Sequence, residues 1–392
     1  MYLTPQGKKQ FQVGAVIVGL LAVAVAALLF MPPLEPPVPV SGQVAAALGG
    51  RPAYAFSFPE TPTPALERPV SVLVSGDSVY VVDSTAGLVR VFDERGQERS
   101  AIGSGTLEVP VYIARDAVRG LVYVTDRQKR AVFAFTDDGS PAGVLAPRAV
   151  GATGSTEPTS WAPLGIDVAD DGLIYVTDVL QRHRVLVLEF DGTIVREIGG
   201  ERAAQAGSGV SVVLEYPNAV DVFDDEVWVS DSNNRRVVVF GLDGQFRRVV
   251  PMTGLSRGID SLAAADSTRT LVAVVDTLAQ DIAVLDSAGV VLGRFGQPGS
   301  SGGRLAFPND IAVSRDGKRM YIADTGNRRI QAWDVVPVSP LDAVTGGNGA
   351  ADASARIPYI AVALLAMIAA IAVGVVVASR WRRGAALATM EP

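Results

Sequence analysis

An apolar run closing on aspartate recurs six times along this chain, and no other feature constrains its fold as tightly. The copies read VYVVD ending at Asp83, VYVTD at Asp126, IYVTD at Asp178, VWVSD at Asp231, VAVVD at Asp276 and MYIAD at Asp324. They lie roughly 43 to 53 residues apart, the period of a four-stranded propeller blade. A second strand follows each copy, for example RVLVLEFDG and RVVVFGLDG, and Asp-Gly or a related turn reverses the chain toward a third. Another strand precedes each, often after proline, as in PLGIDV, PNAVDV and PNDIAV. Continuous apolar runs need cover on both faces. Sheets that cannot bury themselves alone must close into a ring. The chain is therefore expected to be all-β, a six-bladed β-propeller over residues 53–335.

Counting strands also locates the closure. Blade six ends near Asp334, and Pro337 and Pro340 disfavour a further central strand. Its outer strand is missing there, while Ala53–Phe58 (AYAFSF) stands unclaimed ahead of blade one. That segment is expected to pair into blade six and fasten the ring.

Composition bounds the chemistry. Among 392 residues there is no cysteine and one histidine. A disulfide framework, a thiolate nucleophile and a site built from two imidazoles are excluded. The formal charge of −7 argues against a broad basic face, and nucleic acid is not an expected partner.

Two charge-free apolar runs flank the repeats. Residues 11–31 and 357–379 are each long enough to cross a bilayer core of about 30 Å. Lys8 and Lys9 precede the first run, and Arg380, Arg382 and Arg383 follow the second. The positive-inside bias then puts residues 1–10 and the tail 380–392 in the cytoplasm and the propeller outside, at the cell membrane. A cleaved signal peptide is the competing reading of the first run. Its apolar stretch exceeds the usual length of about 7–15 residues, and no small-x-small site closes it. Residues 32–52 are proline-rich and expected to be extended, and residues 336–356 are small and polar, a flexible linker. Neither has the apolar periodicity of a packed element.

Phe307–Asp334, FPNDIAVSRDGKRMYIADTGNRRIQAWD, resembles an NHL repeat, as does YPNAVDV…VWVSDSNNRRVVVF in blade four. The resemblance extends over about Ala53–Asp334 and implies a six-bladed propeller of the kind that serves as an interaction platform. Blades two and five depart from the motif, with Ala131 and Asp281 where Arg236 and Arg329 stand. A residue repeated in every blade serves packing, so Asp83, Asp126, Asp178, Asp231, Asp276 and Asp324 are expected to satisfy N–H groups or an arginine in the following turn. His183, in the turn after Asp178, reads as a solvated turn residue.

In an antiparallel meander, the loops leading into the inner strands and the turns after each aspartate open on one face. That face collects Asn218, Asn309, Asp310, Arg257, Asn234 and Asn327 as candidate ligand-binding residues, along with the long connections 147–163 and 199–217. Both tethers are expected to leave from the opposite face. Asp167, Asp221 and Asp260 break the sixfold symmetry at one inner-strand position, where clustered carboxylates could hold calcium or line a wet channel.

The expected function is that of a membrane-tethered, extracytoplasmic, non-enzymatic binding platform for a protein, peptide or glycan, with no cofactor and no catalytic residue. A calcium-dependent lactonase-like hydrolase and a structural subunit of an envelope complex are the alternatives. The resemblance implies that a lactonase would hold its ion with Glu, Asn and Asp near the axis. Asn309 and the inner-strand aspartates match in part, but no axial Glu stands out.

Overall fold

The structure, a computed structural model, describes residues 42–59, 65–148, 160–180, 182–199, 212–251, 255, 259–264, 271–286 and 288–337. The chain divides into two compact units, 38–350 and a second made of 1–37 with 351–392. The second unit, with both apolar runs, lies outside the described residues. Among the described residues no helix is long and apolar enough to cross a membrane.

A helix α1 (Gly42–Ala47) and a strand β1 (Arg51–Phe58) open the described chain. Blade one holds β2 (Pro69–Ser75), β3 (Ser78–Asp83), β4 (Leu88–Asp93) and β5 (Glu98–Ile102). Blade two holds β6 (Pro110–Asp116), β7 (Leu121–Asp126), β8 (Ala131–Thr136) and β9 (Pro141–Leu145). Blade three holds β10 (Pro163–Val168), β11 (Ile174–Asp178), β12 (Arg184–Leu188) and β13 (Ile194–Ile198). Blade four holds β14 (Pro217–Phe223), β15 (Glu226–Asp231), β16 (Arg236–Gly241) and β17 (Phe246–Pro251). Blade five holds β18 (Ile259–Ala264), β19 (Leu271–Asp276), β20 (Asp281–Asp286) and β21 (Val291–Phe295). In blade six, β22 (Asp310–Val313), β23 (Arg319–Asp324) and β24 (Arg329–Val336) take β1 as their outer strand. Each sheet has four strands, so the molecule is a six-bladed β-propeller.

The closing pair runs antiparallel from Arg51 opposite Val336 to Phe58 opposite Ile330. Both ends of the ring therefore emerge side by side. They do so on the face of the inner-to-second turns, because the Val335 N–H donates to the carbonyl of Lys318 in that turn of blade six. The strand begins two residues ahead of its expected start at residue 53.

Burial follows from the ring. Six apolar clusters form, one at each junction between neighbouring blades. The closing junction joins Phe58, Leu66, Val81 and Phe92 to Tyr321 and Ile330. An open array would leave that cluster to water. Turns between third and outer strands follow from local chemistry: in Asp-Glu-Arg-Gly-Gln the Asp93 carboxylate accepts the N–H groups of Arg95 and Gln97. Gly192 in the matching turn of blade three has φ +88°, and a Cβ there would stand 2.2 Å from the Ala146 carbonyl.

The proline-rich segment is not extended throughout. Residues 42–47 are helical, and Val44 is fully buried in the cluster between blades five and six. One apolar residue among alanines carries no periodic signal, so this packing is a tertiary event. Leu88 opposite Asp83 shows that blade one also lacks the arginine of the repeat.

Candidate functional site

The six repeat aspartates end the second strands and are all buried. Each is satisfied from the loop face, but by different donors. Asp83 accepts the N–H groups of Glu67 and Arg68, and Asp126 those of Glu108, Val109 and Lys129. Asp178, Asp231 and Asp324 each add an arginine Nε from the start of the next strand, supplied by Arg184, Arg236 and Arg329. Blade five replaces that arginine with Asp281, and Arg294 on β21 reaches both Asp276 and Asp281 instead. Burial raises the Asp281 carboxyl above its ordinary value against the pull of Arg294.

Two of the candidate ligand residues serve these aspartates. The side-chain amide of Asn234 donates to both oxygens of Asp231, and that of Asn327 to both oxygens of Asp324. Each sits in a short 3-10 turn, Ser232–Asn234 and Thr325–Asn327. Asn218 is half-buried at the start of β14, where its carbonyl lies 2.7 Å from the Cβ that Gly165 lacks. Asn309 is half-buried and its N–H donates to the Ala323 carbonyl. Arg257 and most of the two long connections lie outside the described residues.

The inner strands line a central cavity of about 520 Å³ whose charged walls include Asp167, Asp170, Asp221, Asp310 and Arg315. Asp310 spans blades six and one. Its Oδ2 accepts the Ser71 hydroxyl at 2.6 Å and the Val72 N–H at 2.9 Å, and its Oδ1 accepts the Ile311 N–H. Asp167 does the same between blades three and four, accepting the N–H groups of Val222 at 2.7 Å and Val168 at 2.8 Å. Inner strands of neighbouring blades are not paired in a sheet, so these carboxylates satisfy donors that a sheet would have satisfied. Asp221 holds the matching position in blade four, opposite Trp228. Asp260 stands on β18 but not at that position, which Ala263 holds opposite Ala273, and its side chain is outside the described residues.

Both oxygens of Asp167 and of Asp310 already face N–H or O–H donors, which commits these two carboxylates to joining neighbouring blades. Among the described residues no group of three or more acidic or imidazole side chains could hold a metal.

The loop face itself is well defined. In blades one to four and in blade six, an N–H of the turn after the aspartate donates to a carbonyl of the loop leading into the same blade, as Ser84 does to Arg68 and Asn233 to Glu215. The hydroxyls of Thr277 and Thr325 reach the next blade, at Pro308 in its lead-in and at Pro69 opening β2. Arg127, Lys129, Arg130, Arg182, Arg235 and Arg328 stand exposed in these turns, and no Asp or Glu lies between the strands there. The opposite, inner-to-second turns carry exposed Asp77, Asp170, Asp171, Asp224, Asp225 and Asp316 against exposed Arg315 and Lys318 and half-buried Arg119, and so stay acidic among the described residues. The charge of −7 thus conceals a separation by face, because a sum over the chain averages two opposite surfaces. The turn cations were readable in RQKR, in the arginine closing the turns of blades four and six, and in Arg182 beside His183, once the turns are taken together as one face. His183, in the same turn as Arg182, meets Tyr216 edge-on at 6.2 Å.

No family model and no curated protein sequence matches the chain. Its fold is similar to that of solved propellers. A streptogramin B lyase structure superposes with a TM-score of 0.50 at 15% identity, covering 72% of this chain and 87% of that one. Hydrazine synthase of Kuenenia stuttgartiensis gives 0.47 at 16% identity, over 69% of this chain and 77% of its own. A nidogen–laminin complex gives 0.46 at 20%, over 59% and 81%. At such identities the likeness concerns the fold alone.

Proposed function

We propose that this protein is a membrane-tethered, extracytoplasmic propeller of NHL type that works as a non-enzymatic binding platform, its partner a protein, peptide or glycan on the loop face. The observation that carries this reading is the pairing of Arg51 with Val336 on the face of the inner-to-second turns. Ring ends that emerge together on that face suit tethers attached on the side away from the loops, and that arrangement is the one the platform reading requires. The repeat aspartates support a scaffold role, since each is buried and bonded to its own blade. The channel carboxylates Asp167 and Asp310 brace neighbouring blades in the same way.

The absence of cysteine makes the test clean. In intact cells a membrane-impermeant maleimide labels Asn233→Cys, while Gln6→Cys and Ala388→Cys react only after lysis. Labelling in the reverse pattern refutes the topology. Lactone hydrolysis that disappears with a chelator would replace the platform by an enzyme.

A further inference from the structure

The loop face sorts charge in a way that folding does not require. Its six turn cations are exposed, and among the described residues none of them forms an ion pair within the chain. Among the described residues the lead-in loops add Glu67, Glu108 and Glu215 against Arg68 and Arg304, so the described part of the face stays positive. The far face is acidic. An anionic chain is repelled from the far face and drawn to the loops, and such fields raise the rate of productive encounter.

The same face exposes apolar side chains. Phe307 is 53% exposed and Leu278 59% exposed. They belong to adjoining segments, since the Thr277 hydroxyl donates to the Pro308 carbonyl at 2.6 Å. Phe307 also holds a φ of +46°, a region costly for a bulky residue. At the matching place in blade four Tyr216 has φ +57° and is half-buried beside His183. Phe307 has no such cover. An aliphatic side chain beside an aromatic one suits a peptide better than a sugar ring, which stacks on a flat aromatic surface.

Taking the platform reading as its basis, we propose that the loop face binds an acidic peptide segment bearing apolar side chains. Its carboxylates face Arg127, Lys129, Arg182, Arg235 and Arg328, and an apolar side chain rests on Phe307 and Leu278. Exposed ion pairs are individually weak and screened, so the complex is salt-sensitive and the apolar contact supplies the remainder.

Full-length protein in phosphatidylcholine nanodiscs, titrated with fluorescein-labelled peptides and followed by anisotropy, tests this. A short peptide alternating Glu with Leu and Ser binds saturably, and raising salt from about 0.05 to about 0.3 M weakens it. Together, Arg127→Glu, Lys129→Glu and Arg182→Glu weaken it by about tenfold or more, a loss of about 1.4 kcal/mol or more. Phe307→Asn weakens it severalfold, and Lys318→Gln on the far face leaves it unchanged. Melting curves confirm that each variant is folded. If the same peptide with Gln for Glu binds equally well and ignores the turn reversals, the acidic preference falls while the platform survives. If neither peptide binds, the peptide proposal falls outright. If polyguluronate binds more tightly and Phe307→Asn has no effect, the face takes an anionic glycan instead.

Discussion

Each repeat aspartate is surrounded by a different set of donors, and that set fixes what its loss costs. Asp324 accepts the Arg329 Nε, the Gln331 amide, the Asn327 amide and the Ala306 N–H. Asp126 accepts backbone N–H groups, which the carbonyl of an asparagine could also accept. Asp324→Asn leaves the arginine without its counter-charge and is expected to cost about 3–5 kcal/mol. Asp126→Asn is expected to cost about 1–3 kcal/mol. Urea midpoints of the two variants decide this, and equal losses would mean that the donor chemistry is irrelevant. Titration belongs to the same scale. The Arg115 guanidinium holds Asp137 below the usual carboxylate range, as Arg248 does Glu226, and backbone N–H groups do the same to Asp93. A carboxyl whose folded value is depressed contributes stability above its unfolded value of about 4, and loses it as pH falls through the folded value. Asp281 works in the opposite sense, since its raised carboxyl binds a proton more tightly when folded and its contribution falls as pH rises. The lowered group is the larger, so the urea midpoint should fall as pH drops below about 4. Asp137→Asn should make that fall shallower. A midpoint that climbs on acidification would reverse the sign.

Strands follow from local pattern, whereas their closure depends on where one of them goes. Segment β1 was legible because blade six lacked a fourth strand, and its partner β24 lies far along the chain. Phe58 is fully buried against Phe92 and Tyr321. Phe58→Ala is expected to cost about 3–5 kcal/mol, and a chain beginning at Glu60 to lose the cooperative unfolding of the ring. If proteolysis and melting leave that shortened chain as resistant as the full one, β1 does not fasten the propeller. Helix α1 was not legible. Its reason is tertiary, since it packs at the rim of the junction between blades five and six, against the outer strands β21 and β1. Val44 joins Ala273 in that junction's cluster. Val44→Asp buries a charge there and should lower the melting midpoint well beyond Ala45→Asp, whose side chain is half-exposed.

At the scale of the whole molecule, the ring turns one face basic and the other acidic while six apolar junctions hold it closed. Its channel carboxylates brace blades, so calcium added to the full-length protein should not move the melting midpoint. A calcium-dependent rise would show that Asp221 or Asp260 recruits its neighbours to an ion after all. Taken alone, the amino-acid order determined the blade number, the strand sequence, the six packing aspartates and the closing segment. These are periodic or local, and periodicity survives in one dimension. Only the tertiary structure decided that Asp310 and Asp167 reach across to the next blade, that α1 packs against β21 and β1, and that the turn cations share one face. Those relations join residues far apart in the chain, and only closure of the ring brings them together.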